Sequence, residues 1–242
     1  MIDSKKRSVC KALTWRLFAI VLLGIVSFIS TGDIKSASMI TFLYHGIQFC
    51  MFFLHERIWN NISWGKTKGL SIQMTGMSGA GKSTLSNLVA ERLKKKGLLV
   101  EIIDGDEYRN NLCNDLGFSK EDRNTNIRRL GFVSKVLSRN NVITIIAAIN
   151  PYDKVRKELV TKDKNLKTVY VKCKMATLLD RDTKGLYKRA LLPDGHDNKV
   201  YNFTGISDPF EEPKNPDLVI DTTEQNIESA VQQFENFIIK NI

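Results

Sequence analysis

The chain has 242 residues, 43% of them apolar, which allows one or two domains with a sizeable core. Its net charge of +10 would suit nucleic acid, but no basic stripe interleaved with aromatics and no nucleic-acid motif is present, which excludes that class. Cys10, Cys50, Cys113 and Cys173 form no C-x-x-C pair and the three histidines do not cluster, which excludes a zinc site or disulfide framework and fits a reducing compartment.

The charge is uneven. Residues 1–68 carry nine Lys and Arg against three Asp and Glu; the remainder carries 27 against 23. Two apolar runs fill the first part. Ala12–Ser30 has Arg16 as its only charge, and Ala37–Leu54 has none. Both approach the ~20 residues a helix needs to cross a bilayer. Thr31–Ser36 makes a polar turn between them, so the segment reads as a transmembrane helical hairpin in contact with the membrane over residues 12–54. Lys5, Lys6, Arg7 and Lys11 precede the first run; Arg57, Lys66 and Lys68 follow the second. The positive-inside rule then puts both termini in the cytoplasm, with Trp15, Trp59 and Trp64 as interfacial anchors. A cleaved signal peptide and a soluble helical hairpin are the competing readings. Lys11–Arg16 and His55–Asn60 resemble a small two-helix bacterial membrane domain of unknown function. Gly65–Gly69 reads as a linker, dividing the chain into residues 1–68 and 69–242.

Leu70–Thr75 reads as a short, mostly buried strand. Gly76-Met77-Ser78-Gly79-Ala80-Gly81-Lys82-Ser83 follows, which fits the phosphate-binding loop G-x-x-x-x-G-K-[ST]. Thr84–Lys96 then reads as a helix with Leu85, Leu88, Val89 and Leu93 on one face, stopped by Gly97. Strand, glycine loop and helix are the setting in which backbone N–H groups close round phosphate oxygens at a helix N-terminus. Lys82 would reach the β- and γ-phosphates of ATP and Ser83 would place its hydroxyl on Mg²⁺.

Leu98–Ile103 is a second strand ending in Asp104-Gly105-Asp106. Carboxylates at that end of a strand lie on the ligand-binding edge of such a sheet. Asp104 could hold Mg²⁺ and Asp106 could accept a proton from an attacking hydroxyl. Ser119–Arg139 reads as a helix capped by Ser119 and Asp122. Its Arg123, Asn126, Arg128 and Arg129 could clamp an anion. Asn141–Ile149 is the most apolar strand and is expected at the centre of the sheet. A helix from Pro151 to about Thr161, strands at Leu166–Val171 and Leu218–Ile220, and a helix over Glu224–Lys240 complete the alternation. It implies an α/β fold with a parallel five-stranded sheet covered by helices on both faces. The polar, irregular stretch 183–216 reads as a lid or binding loop.

Taken together, these segments resemble the adenylylsulfate kinases, P-loop enzymes of sulfate activation. The matching pieces are Gly76–Thr84, Asp104-Gly105-Asp106, Asp115–Ser119, Asp122-Arg123, Asn126–Arg129, Arg181-Asp182, Lys184–Tyr187 and Phe203–Ile206, in family order across residues 69–222. The resemblance implies ATP-dependent phosphorylation of the 3′-hydroxyl of adenylyl sulfate. It implies Asp106 as the base, and Arg109, Arg123 and Asn126 as the clamp on the phosphosulfate side. It makes Phe118 a stacking face for adenine, with Lys184 and Phe203-Thr204-Gly205 as further substrate contacts and Arg181 in the part closing over ATP. It also carries the expectation of a possible homodimer, which no residue demonstrates. Three departures stand out. Asn150 replaces a serine that some members phosphorylate, Ala190–Tyr201 is longer than usual, and Lys174 replaces a common proline. Two other readings stay open: a related kinase acting on another nucleotide derivative or sugar acid, and a non-catalytic nucleotide-binding membrane scaffold. No N-K-x-D motif of a GTPase is present.

Overall fold

The computed structural model describes residues 5–61, 68–182 and 184–242, with backbone alone at 5–12, 56, 59 and 60. It divides the chain into two units, residues 1–66 and 67–242. The expectations resting on Lys5, Lys6, Arg7, Lys11, Trp59, Trp64, Lys66 and linker residues 65–67 lie outside the described residues or side chains.

The first unit is two helices, α1 (Lys5–Thr31) and α2 (Ile34–Asn61). The turn is shorter than expected. Asp33 accepts hydrogen bonds from the Ser36 N–H (2.9 Å) and Oγ (2.7 Å), which caps α2 and draws residues 34–36 into it. Ser27 and Ala37 are the buried residues of the pair among those described, while Phe18 and Phe42 are about four-fifths exposed, at 76% and 81%. Within these helices Leu13–Thr31 and Ile34–His55 are long and apolar enough to cross a membrane. His45 and Gln48, one turn apart on α2, bond to each other at 3.2 Å.

The second unit runs β1 (Leu70–Thr75), α3 (Lys82–Lys95), β2 (Val100–Asp104), α4 (Gly105–Asn111), α5 (Lys120–Ser138), β3 (Ile143–Ala147), α6 (Asp153–Lys162), β4 (Leu166–Lys172), α7 (Met175–Arg181), α8 (Leu186–Ala190), β5 (Leu218–Asp221) and α9 (Ile227–Asn241). The five strands form one parallel sheet in the order β2-β3-β1-β4-β5. One face packs on α3 and α9 through Leu85, Val89, Leu93, Val231 and Phe234. The other packs on α5 and α6 through Ile127, Leu130, Val155 and Leu159. Both faces are therefore covered, as a parallel sheet requires.

The expectation that Asn141–Ile149 is central is corrected. The middle strand is β1, although Ser71, Gln73 and Thr75 alternate along it with Leu70, Ile72 and Met74. All six are buried, and Gln73 and Thr75 have found partners: Gln73 donates to Thr168 Oγ1 (2.9 Å) and Thr75 to the Asn150 carbonyl (2.9 Å). Leu88 lies on the rim of its helix rather than in the core. The short helices α4, α7 and α8 are additions to the expected elements.

Gly97 ends α3 in the left-handed conformation (φ 80°). Its N–H bonds to the Lys94 carbonyl at 3.0 Å and that of Leu98 to the Leu93 carbonyl at 3.1 Å, a Schellman pair. A Cβ there would meet open space, so only backbone strain opposes a side chain. Gly97→Ala is expected to lower the unfolding free energy by about 1 kcal/mol, and Gly97→Asn by less. Urea unfolding of the detergent-solubilised chain, followed by circular dichroism, checks both.

Candidate active site

Every loop leaving the carboxyl edge of the sheet contributes to one cleft of about 720 Å³. Its floor is the turn from β1 into α3. Gly76 is pressed against β4, where a Cβ would lie 2.4 Å from the Val171 carbonyl oxygen. Its N–H reaches the Ile149 carbonyl at 3.1 Å. The N-terminus of α3 has no side-chain cap and no acidic residue in its first turn, so its free N–H groups and dipole are left for an anion. Lys82 is buried at its base and donates to the carbonyls of Gly76 and Met77, both at 2.8 Å. Burial holds its pKa down from 10.5 to about 8.

Asp104 ends β2 with its two carboxylate oxygens divided. One accepts the Asp106 N–H at 2.9 Å and caps α4; the other accepts from Ser83 Oγ at 3.0 Å. Ser83 and Asp104 together form an oxygen donor pair suited to a hard divalent cation. Asp106, two residues along, receives a hydrogen bond from Lys184 Nζ at 2.7 Å, and this contact raises the Lys184 pKa.

Facing the phosphate loop is a cationic wall. Arg109 and Arg123 both lie on the ring of Phe118, at 4.6 and 5.7 Å. Arg109 donates to the Gly117 carbonyl (2.6 Å), Arg123 to the carbonyls of Phe118 (3.0 Å) and Asn202 (2.6 Å). Burial depresses the pKa of Arg123. Phe118 itself is largely exposed. Asn126 and Thr204 are buried on this wall with Asn126 Oδ1 and Thr204 Oγ1 lacking a protein partner, polar capacity left for a ligand. Phe203 packs edge-on against Tyr187 (4.9 Å), whose hydroxyl donates to the Ser78 carbonyl at 2.9 Å, so this loop leans on the phosphate loop. Arg181 donates to the Thr222 carbonyl (2.8 Å), and Thr222 Oγ1 to that of Ala80 (3.0 Å).

Of the expected residues, Ser78, Gly79, Gly81, Lys82, Ser83, Thr84, Asp104, Asp106, Arg109, Phe118, Arg123, Asn126, Arg181, Lys184, Phe203 and Thr204 line the cleft. Gly76, Met77, Ala80 and Gly205 stand behind that wall. The expected clamp on α5 is narrower than its sequence suggests: Arg128 pairs with Glu158 (2.9 Å) and Arg129 with Asp115 (2.5 Å). Helical geometry turns both away from the face that carries Arg123 and Asn126. Val200, Tyr201, Thr222, Gln225 and Ile227 also line the cleft. No motif marks them; the length of the 190–201 stretch was the one available signal for Tyr201.

The family model of adenylylsulphate kinase matches residues 68–221. The adenylyl-sulfate kinase of Microcystis aeruginosa is 43% identical over 171 residues, covering 71% of this chain and 92% of that one. The chain belongs to the adenylylsulphate kinase family. A probable bifunctional SAT/APS kinase 2 of Sorangium cellulosum is 44% identical over 163 residues, 67% of this chain, but the chain spans only 27% of that longer protein. Among solved structures, the APS kinase CysC of Mycobacterium tuberculosis in complex with AMPPNP and APS superposes with a TM-score of 0.66 at 32% identity, covering 72% of this chain and 99% of that one. Residues 9–60 match a separate family, described as a predicted membrane protein (DUF2061).

The buried ammonium gives a pH signature. An unfolded lysine keeps its proton to about pH 10.5, whereas native Lys82 releases it from about pH 8. Between those values the unfolded state binds more protons, so stability rises with pH. Above about pH 10 the trend reverses, because burial holds the Tyr152 and Tyr187 hydroxyls up to about 12. Without nucleotide, the stability of the wild type relative to Lys82→Met is expected to rise by about 1 kcal/mol from pH 8.5 to 9.5. Urea titrations at the two pH values measure it.

Proposed function

We infer that this chain transfers the γ-phosphoryl group of ATP to the 3′-hydroxyl of adenylyl sulfate, releasing ADP and 3′-phosphoadenylyl sulfate. The observation that carries this reading is the pairing, across one cleft, of an uncapped phosphate loop with a wall of Arg109, Phe118, Arg123 and Asn126, with Asp106 between them. Residues 69–242 form the kinase domain. Residues 1–68 form its membrane hairpin and linker.

In this reading the N–H groups of residues 78–84 and Lys82 hold the ATP phosphates. The two carbonyls that now receive Lys82 exchange it for phosphate oxygens. Phe118 stacks on the adenine of the acceptor, while Arg109, Arg123 and Asn126 fix its phosphosulfate. Asp106 then takes the proton of the 3′-hydroxyl as the new oxygen–phosphorus bond forms and the bond to the ADP oxygen breaks. Ser83 and Asp104 would hold Mg²⁺, which when bound supplies positive charge against the phosphates. Arg181 and Thr222 support the side of the loop nearest α9. The rest of the catalysis is positioning and charge stabilisation.

The hairpin reading rests on the two long apolar helices, on their exposed apolar side chains and on the membrane-protein family matched by residues 9–60. The flanking cations support a two-span anchor with the kinase domain and both termini in the cytoplasm.

The full-length protein in proteoliposomes is expected to consume ATP in the presence of adenylyl sulfate. Asp106→Ala is expected to lower kcat by about 100-fold or more while leaving nucleotide affinity within a few-fold. Turnover with a different acceptor alone would reassign the substrate. Extraction of the protein by alkaline carbonate would overturn the anchor.

A further inference from the structure

Arg156 lies on α6, outside the cleft, yet is only 2% exposed. Its nearest carboxylate, Asp153, is 3.5 Å away. A guanidinium is costly to bury unless its donors are used; here Nη1 and Nη2 are used on backbone, while Nε has no hydrogen-bond partner among the described residues. Nη1 donates to the Asn150 carbonyl at 2.7 Å and Nη2 to the Glu211 carbonyl at 2.5 Å. These carbonyls belong to the two segments that meet at the cleft.

On the phosphate side, Asn150 follows β3 with a left-handed backbone (φ 45°), a conformation that asparagine tolerates and other side chains resist. This turn points its carbonyl at both Arg156 and Thr75 Oγ1, the latter 2.9 Å away, and the preceding Ile149 carbonyl at the Gly76 N–H. Its side chain donates to Gln73 Oε1 at 3.0 Å, and Gln73 donates in turn to the Arg156 carbonyl at 3.1 Å. On the acceptor side, the Glu211 N–H reaches the Pro151 carbonyl at 2.9 Å. Three residues earlier Asp208 accepts from the Tyr152 hydroxyl at 2.7 Å, and its carbonyl accepts the Gly205 N–H at 2.7 Å.

We propose that Arg156 and the left-handed turn at Asn150 are positioning residues that set the distance between the phosphate loop at Gly76 and the acceptor loop 202–211. Arg156 stands outside the cleft, whereas Asn150 is part of its lining and acts here through its backbone. Arg156 acts by tying two backbone segments to one rigid fork, and Asn150 by holding the carbonyl that the fork and Thr75 share. The proposal deepens the adenylyl sulfate kinase reading and rests on it. A register error of about 1 Å between donor and acceptor costs about 100-fold in rate, while each loop alone still binds its own ligand.

The test is steady-state kinetics of the full-length protein in proteoliposomes, with equilibrium binding of a non-hydrolysable ATP analogue measured in the absence of acceptor. Arg156→Met is expected to lower kcat about 10- to 100-fold with analogue affinity within about threefold. Asn150→Ala, which strains the turn, is expected to lower kcat about tenfold, whereas Asn150→Gly, which adopts it freely, stays within about threefold. A folded Arg156→Met with wild-type kcat overturns the proposal, and so do equal kcat values for Asn150→Ala and Asn150→Gly. If Arg156→Met does not fold, the Asn150 pair decides alone. A wild type inert towards adenylyl sulfate, run alongside, defeats the function reading first and this inference with it.

Discussion

The contact on which the site depends is that of Gly76 with the Val171 carbonyl. No side chain fits there, so the chain leaving the middle strand is pressed onto β4 and must turn at once. That turn brings the N-terminus of α3 over the carboxyl edge of the sheet and folds Lys82 back beneath it. From this point the neighbouring strands act as braces. The end of β3 holds the Gly76 N–H, Thr222 beyond β5 holds the Ala80 carbonyl, and Tyr187 of α8 holds that of Ser78. Three separate segments are thus referenced to one short loop, which is how a parallel sheet positions groups far apart in sequence.

The charges around this loop follow the same economy. Asp104 spends one carboxylate oxygen on the first turn of α4, which aims Asp106 into the cleft, and the other on Ser83. On α5 the spacing of Arg123 and Asn126 keeps them on one helical face, while Arg128 and Arg129 leave it for Glu158 and Asp115. A cluster of three arginines in sequence is therefore two structural ion pairs and one cleft cation, beside Asn126, in space. Partners 30 and 14 residues away decided which were which.

Local features could be read from the chain, and non-local ones could not. The phosphate loop is legible because its glycine spacing is a backbone requirement confined to eight residues, and Ser119 capping α5 through the Asp122 N–H is local in the same way. The central place of β1 is not legible. Apolar content pointed to β3, whereas the buried Gln73 and Thr75 of β1 are satisfied by Thr168, Asn150 and Ile149, partners invisible until the sheet is formed. The helices α4, α7 and α8 have five to seven residues, too few for an apolar period to register. Arg156 went unnoticed for a related reason: no motif in its own segment marks a cation whose partners are carbonyls 6 and 55 residues away.

The cations of the cleft differ in how firmly they are held, and this orders the events that substrates can trigger. Arg123 is half-buried and two of its nitrogens, Nε and Nη2, are held by backbone carbonyls, so it offers a fixed positive field with Nη1 left for a ligand. Lys184 is different. Its pair with Asp106 is exposed on both sides, 62% and 80%, and such a pair is worth ~1 kcal/mol or less. An arriving anion can therefore take the lysine at little cost. The exchange would leave the Asp106 carboxylate without its lysine partner. The weak surface contact is thus the one that a ligand can exchange most easily, while the buried contacts hold their places.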